Sequence, residues 1–345
     1  MKRSPFVPRR LAAALCTALL GTSAAAASGF SGPLFGLTTG PNGELLVADT
    51  GAGVVTQDGS PVAMPPLPGI TDISVLGKGS LWVTRTGTTP TQNTGQGLYR
   101  LSKGKLRLIV DLYAFEQANN PHPGDATESN PFDVQGLEGG DTALVVDSAG
   151  NDLLRVNTEG KVKVLAVFPN ALASTANIKS LFGCPSGPPN ICGLPAQIPA
   201  QPVPTSVAIG PDGWYYVGEL KGFPAPTGAS RIWRVAPWAS SADCGNSNDC
   251  QVVFDGGFTS IIDLAFGPDG LLYVVELDEA SWFSVEVLNH PTTGTINACD
   301  VATLACVELA TGLASPTAIT FGKDGKLWST EYALAPPLAR VVEIP

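Results

Sequence analysis

The stretch TSVAIGPDGWYYVGE (Thr205–Glu219) returns almost unchanged as IDLAFGPDGLLYVVE (Ile262–Glu276). Each copy reads as an apolar strand, a turn closed by Asp-Gly, and a second strand rich in Tyr, Val and Leu. Asp-Gly and Asn-Gly favour tight hairpins because glycine accepts positive φ. The pattern also appears as FGLTTGPNGELLVAD (Phe35–Asp49), TDISVLGKGSLWVTR (Thr71–Arg85), FDVQGLEGGDTALVVD (Phe132–Asp147) and TAITFGKDGKLWSTE (Thr317–Glu331), giving six copies. Third strands follow in GLYRLS, DLLRVN, RIWRVA and ARVVEI, and fourth strands in LRLIVDL, VKVLAVF and QVVFDGG. Four strands per unit in six units predict an all-β fold, a six-bladed β-propeller in which each unit buries its faces on its neighbours. The C-terminal ARVVEI supplies a third strand to the last blade, so residues 28–33 are expected to close the ring as its fourth.

Residues 1–27 read as a secretory signal. Lys2, Arg3, Arg9 and Arg10 are followed by the apolar run Leu11–Leu20 and by small residues at Ala24–Ala27. That run is too short to span a bilayer. Leu15 before Cys16 argues against a lipoprotein, and the surroundings of Arg9-Arg10 fit a twin-arginine signal poorly. Residues 28–345 then form a single propeller domain, secreted or periplasmic, with no membrane span in the mature chain. Cleavage would remove four of the 20 basic residues and none of the 30 acids, moving the formal charge from −10 to −14. So acidic a surface excludes nucleic acid as a partner, since phosphates need a basic face.

Six cysteines remain after Cys16 and fall into close pairs: Cys184 and Cys192, Cys244 and Cys250, Cys299 and Cys306. Sequence allows about 15 connectivities. Local disulfides are the economical choice in an oxidising compartment.

The long segments gather on one face of the predicted disc. Residues 113–131 and 169–204 precede inner strands, whereas 86–97 and 220–230 follow second strands. Long loops in compact domains commonly carry function. On that face the last position of the repeat reads Asp49, Arg85, Asp147, Glu219, Glu276 and Glu331, and the start of the inner strand reads Asp72, Asp133, Ser206 and Asp263. These are candidate channel-mouth ligands. Converging carboxylates repel unless a cation or Arg85 balances them, and an all-oxygen set suits Ca²⁺. A terminal acid in a repeat also caps the adjoining turn through backbone N–H groups. His122 and His290 each lie beside proline in a loop, and no Gly-x-Ser-x-Gly elbow accompanies them. Trp82, Tyr273 and Trp328 share one column of the second strand and read as core.

SNPFDVQGL, VVDSAGNDLLRVNTEGKV, LAVFP, IPAQPVPTSVAIGPDGWYYVGELKGFPAPTGASRIWRV and FTSIIDLAFGPDGLLYVVEL together resemble the ScyD/ScyE family of exported propeller-like proteins. The resemblance runs from about Tyr113 to Phe321, loops included, and implies a role in secondary metabolism. The cysteine pairs stand outside the family pattern. A looser likeness connects the chain to NHL-repeat propellers and to the gluconolactonase and regucalcin type, which hold a divalent cation at the channel mouth. Two functions follow as expectations. The first is an exported accessory module that binds a small molecule or a protein on its loop-rich face. The second is a Ca²⁺-dependent lactonase-type hydrolase with Asp147, Glu219, Asp263 and Glu276 as metal ligands and Asp133 as catalytic base.

Overall fold

The turn explains why the repeat is written as it is. In blade four the Gly210 N–H donates to the Trp214 carbonyl at 2.8 Å, and the Gly213 N–H to the Gly210 carbonyl at 2.9 Å. Gly213 sits at φ +80°, a conformation that glycine adopts without the Cβ clash of other residues. Asp212 Oδ1 accepts from the Trp214 N–H at 3.1 Å and its Oδ2 from the Tyr216 hydroxyl at 3.0 Å. The Tyr216 ring then lies over Gly210, where a Cβ would stand 2.5 Å from it. Blade five repeats the arrangement, with Asp269 accepting from the Leu271 N–H at 3.1 Å and the Tyr273 hydroxyl at 2.9 Å. G-P-D-G-x-x-Tyr is therefore one interlocked turn, and glycine, aspartate and tyrosine each have a fixed place in it.

The structure, a computed structural model, describes residues 29–62, 64–76, 79–123 and 126–345. The signal expected at 1–27 lies outside them. Six blades surround a central channel. Blade one is Leu34–Thr39, Leu45–Asp49 and Gly53–Thr56. Blade two is Ile70–Leu76, Ser80–Arg85, Gly97–Ser102 and Lys105–Asp111. Blade three is Pro131–Gly136, Thr142–Asp147, Asp152–Asn157 and Val162–Val167. Blade four is Pro204–Ile209, Tyr215–Glu219, Ser230–Val235 and Cys250–Phe258. Blade five is Ile261–Phe266, Leu272–Glu276, Gly294–Asp300 and Ala305–Leu313. Blade six is Ile319–Phe321, Leu327–Glu331 and Arg340–Ile344. All pair antiparallel in chain order. Among the described residues no helix is long and apolar enough to cross a membrane.

Apolar clusters fill the blade interfaces. Trp82 is buried between blades two and three, and Trp233 between blades three and four. Full burial of an aliphatic side chain is worth roughly 1.5–3 kcal/mol, so the disc is held by the sum of these seams. Tyr273 and Trp328 pack partly buried at the edges of the clusters flanking blade six. Cysteines pair locally as Cys184–Cys192, Cys244–Cys250 and Cys299–Cys306.

Ring closure differs from the expected shared strand. Residues 29–33 do not pair with Arg340–Ile344, and blade six has three strands among the described residues. Instead Phe30 and Leu34 pack with Ala318, Ala333 and Ala339. The Leu34 N–H donates to the Ala333 carbonyl at 3.0 Å, the Thr39 hydroxyl to the Phe321 carbonyl at 2.8 Å, and the Thr317 hydroxyl to the Leu34 carbonyl. The segment is diverted because Ser31 is held to Asp49, its N–H donating to Oδ2 at 2.7 Å.

Candidate functional site

A bulge near the start of the inner strand sets the geometry of the channel. The register shifts between Leu34 and Gly36, Ile70 and Asp72, Pro131 and Asp133, Pro204 and Ser206, and Ile261 and Asp263. Bulges re-aim side chains, and here they turn successive residues in different directions. The bulged residues Phe35, Thr71, Phe132, Thr205 and Ile262 line a cavity on the loop-rich face. The aspartates that follow point down the channel and across to the next blade. Asp72 Oδ2 accepts from the Val134 N–H at 3.0 Å, Asp133 Oδ2 from the Val207 N–H at 2.5 Å, and Asp263 Oδ2 from the Ile319 N–H at 2.7 Å. At blade one this position is Gly36, where a Cβ would fall 2.2 Å from Asp72 Oδ1.

These three carboxyls line a polar cavity of about 380 Å³ deeper in the channel. Burial pushes Asp72 well above the usual carboxylate range, and the charge of Asp133 adds to it. Burial also raises Asp263 strongly, again with help from Asp133. Asp133 is raised by burial but held down by hydrogen bonds from Asp72 and from the Val207 N–H. The trio joins blades two, three and five to their successors.

The acids at the end of the second strand turn the other way. Asp49 accepts from the Gly51 and Ala52 N–H groups at 2.8 and 3.0 Å. Asp147 accepts from the Ser129 hydroxyl and the Asn130 N–H, both at 2.6 Å, and from the Gly150 N–H at 2.9 Å. Glu219 is fully buried and takes Lys221 Nζ at 3.0 Å and Trp233 Nε1–H at 2.7 Å. Glu276 accepts from the Thr259 N–H and from Asn297 Nδ2, and burial lifts it to about 7. Glu331 receives Arg340 Nε at 2.9 Å. Arg85 donates to the Pro68 and Thr94 carbonyls at 2.8 and 2.9 Å, pinning the 86–97 loop. Each is committed to its own blade or to the segment entering it. Among the described residues no three His, Cys, Asp or Glu side chains gather so as to hold a metal ion. The structure brings Asp72, Asp133 and Asp263 together, and leaves Asp147, Glu219 and Glu276 apart from them.

The cavity on the loop-rich face has a volume of about 1240 Å³, at or above the upper end of common small-molecule sites. Phe35 and Phe132 meet at its floor with ring centroids 5.3 Å apart. One wall is Thr86–Pro90; the other is built from Phe223, Trp282, Val285, Tyr332 and Leu334. That second wall is tied together before any ligand arrives. Phe283 meets Phe182 at 5.9 Å and Phe223 at 6.3 Å, and Asn177 Nδ2 donates to the Ala225 carbonyl at 2.7 Å and the Ala280 carbonyl at 3.1 Å. Among the described residues Glu286 is the one charged side chain in the lining. It is reached by solvent inside the concavity yet crowded by protein, and this desolvation raises its carboxyl. Threonine hydroxyls, aromatic faces and backbone dominate the rest.

None of the acids singled out in the sequence lines this cavity. Residues 277–293, with the short Trp282–Glu286 helix, and residues 332–339 are two further inserts that the sequence reading passed over, although the 17-residue length of the first and Pro336-Pro337 in the second mark them. Their signal is indirect: the repeat leaves extra residues between Glu276 or Glu331 and the next strand.

No family model matches the chain, and no curated protein matches it. Solved structures do. It is similar to a gluconolactonase from Xanthomonas campestris at 13% identity, covering 92% of this chain and 88% of that one with a TM-score of 0.55. It is similar to a protein of unknown function from Bacteroides thetaiotaomicron (12%, 92% and 70%, 0.53) and to hydrazine synthase of Kuenenia stuttgartiensis (13%, 95% and 80%, 0.52). At these identities the likeness shows the propeller fold alone.

Proposed function

We propose that this is an exported propeller of the ScyD/ScyE type, acting as an accessory module that holds a small, largely uncharged molecule in the loop-face cavity. One observation carries the reading. A preassembled cavity of about 1240 Å³, walled by inserts from several blades, offers aromatic and hydroxyl groups; among the described residues its lining has a single carboxylate and no His, Cys, Lys or Asp. Such a surface orients a ligand through a few polar contacts and buries the remainder. Three disulfides suit the oxidising compartment that export implies. Participation in secondary metabolism is the role that fits the family resemblance. The lactonase-type reading requires several carboxylates free to face one ion, whereas Glu219 and Glu276 are each bonded inside their own blades.

The test is a fluorescence titration of the mature chain with a neutral aromatic dye, followed by competition with neutral and anionic aromatic metabolites. Binding of the neutral compounds is expected to disappear in Ile262→Trp, which fills the floor, and to persist in Glu219→Gln and Glu276→Gln. Ca²⁺-dependent lactone hydrolysis that those two glutamine variants abolish would overturn it.

A further inference from the structure

Outside the channel and the loop-face cavity, two buried acids among the described residues carry side-chain oxygens without a hydrogen-bond partner. Glu116 lies on the Leu112–Asn119 helix of the third-blade insert, and Asp152 opens the third strand of blade three. Asp152 is 0% exposed and Glu116 is 2% exposed. Both Asp152 oxygens and Glu116 Oε1 lack any hydrogen-bond donor. Asp152 faces Asp147 in register across the adjoining strand. A Cβ at Gly150 would lie 3.3 Å from both the Asp147 and the Glu116 carboxyl carbons, so the acids crowd one side of this turn. Asp147 is satisfied by its own donors; the other two are not.

Buried carboxylates of this kind need a counter-charge. With nothing between them, burial and the charge of Asp147 push Glu116 up to about 8, and burial together with Glu116 raises Asp152 far above its ordinary range. A proton is a poor answer for Asp152. A protonated carboxyl becomes an O–H donor that needs an acceptor, and neither of its oxygens has a hydrogen-bond partner. A cation seated between the two acids satisfies both at once.

We propose that Glu116 and Asp152 hold a Ca²⁺ ion. Oxygen-only donors suit this hard cation, which takes the remainder of its shell from water and main-chain carbonyls; zinc would call for His or Cys. The ion would fasten the helix to the turn between the second and third strands of blade three. That helix in turn braces one wall of the cavity: the Tyr113 hydroxyl donates to the Thr91 carbonyl at 2.7 Å, and the Leu112 N–H to the Gln96 carbonyl at 3.2 Å.

Calorimetric titration of the EDTA-stripped, mature chain with Ca²⁺ alone tests the site, alongside thermal melts. One ion per chain is expected, with a melting temperature raised by about 3 °C or more at saturation. Asp152→Asn and Glu116→Gln should each weaken Ca²⁺ binding at least tenfold, while Glu219→Gln and Glu276→Gln retain it. Asp152→Asn removes an unpaired charge, so it should melt no lower than the stripped parent, and its lost response is then not a folding failure. A chain that takes up no Ca²⁺, or whose uptake survives Asp152→Asn, overturns the proposal.

Discussion

At the end of the second strand, five of the six blades carry an acid that bonds back into its own blade. At the third position of the inner strand, three blades carry an aspartate that reaches out to the next. The two columns have the same chemistry and lie a few residues apart, yet one finishes blades and the other joins them. The difference comes from the bulge. It adds a residue to the inner strand, turning the aspartate towards the neighbouring sheet, while the second strand runs straight into a turn whose N–H groups are within reach. Threonine helps to join the blades as well, since the Thr71 hydroxyl donates to the Pro131 carbonyl at 2.8 Å and the Thr205 hydroxyl to the Ile261 carbonyl at 2.7 Å.

If the columns differ in this way, removing a blade-finishing acid should cost more where it leaves a buried partner behind. Glu219→Gln strands Lys221, which is 2% exposed. Loss of about 3 kcal/mol or more is expected in urea unfolding, and a neutral result would erase the distinction. The joining column should respond more mildly. Asp263→Ala leaves the Ile319 N–H without its acceptor and should lose about 1–2 kcal/mol. Asp263→Asn keeps an acceptor and removes a repelled charge, so it should sit close to the parent.

A further test sharpens the comparison through pH. Glu276 titrates at about 7 in the folded chain, against an ordinary 4.5. The folded state therefore keeps a proton that the unfolded state has released, and stability falls as pH rises from about 4.5 to 7. Glu276→Gln should flatten that part of the profile. The flattening is partial, because Asp72 and Asp263 are raised in the same direction and remain. An unchanged slope in melts between pH 4.5 and 7 would show that Glu276 is not the group responsible.

Much of this architecture is legible in six variants of one sentence. Asp212 with Tyr216, and Asp269 with Tyr273, announce the turn, and the extra length between repeats places the inserts on one face. Which way a carboxylate points is not legible, since Asp72 and Asp147 look alike until a one-residue register shift separates them. The cavity walls are half visible: proline marks 169–204, 220–230 and, through Pro336-Pro337, the segment that begins at Tyr332, but nothing in composition marks Trp282. Glu116 is hidden for a different reason. It lies on a helix inside what reads as a loop, and its partner Asp152 becomes a neighbour only through the hairpin of blade three.

The seam between the first and last blades has a dynamic consequence. One backbone bond, from the Leu34 N–H to the Ala333 carbonyl, two side-chain clips and the packing of Phe30 and Leu34 against small alanines hold it shut among the described residues. A split ring breathes at its split. Amides of Leu34–Thr39 and Ile319–Phe321 should therefore exchange with solvent deuterium before those of Thr142–Asp147, and through the same opening rather than one strand at a time.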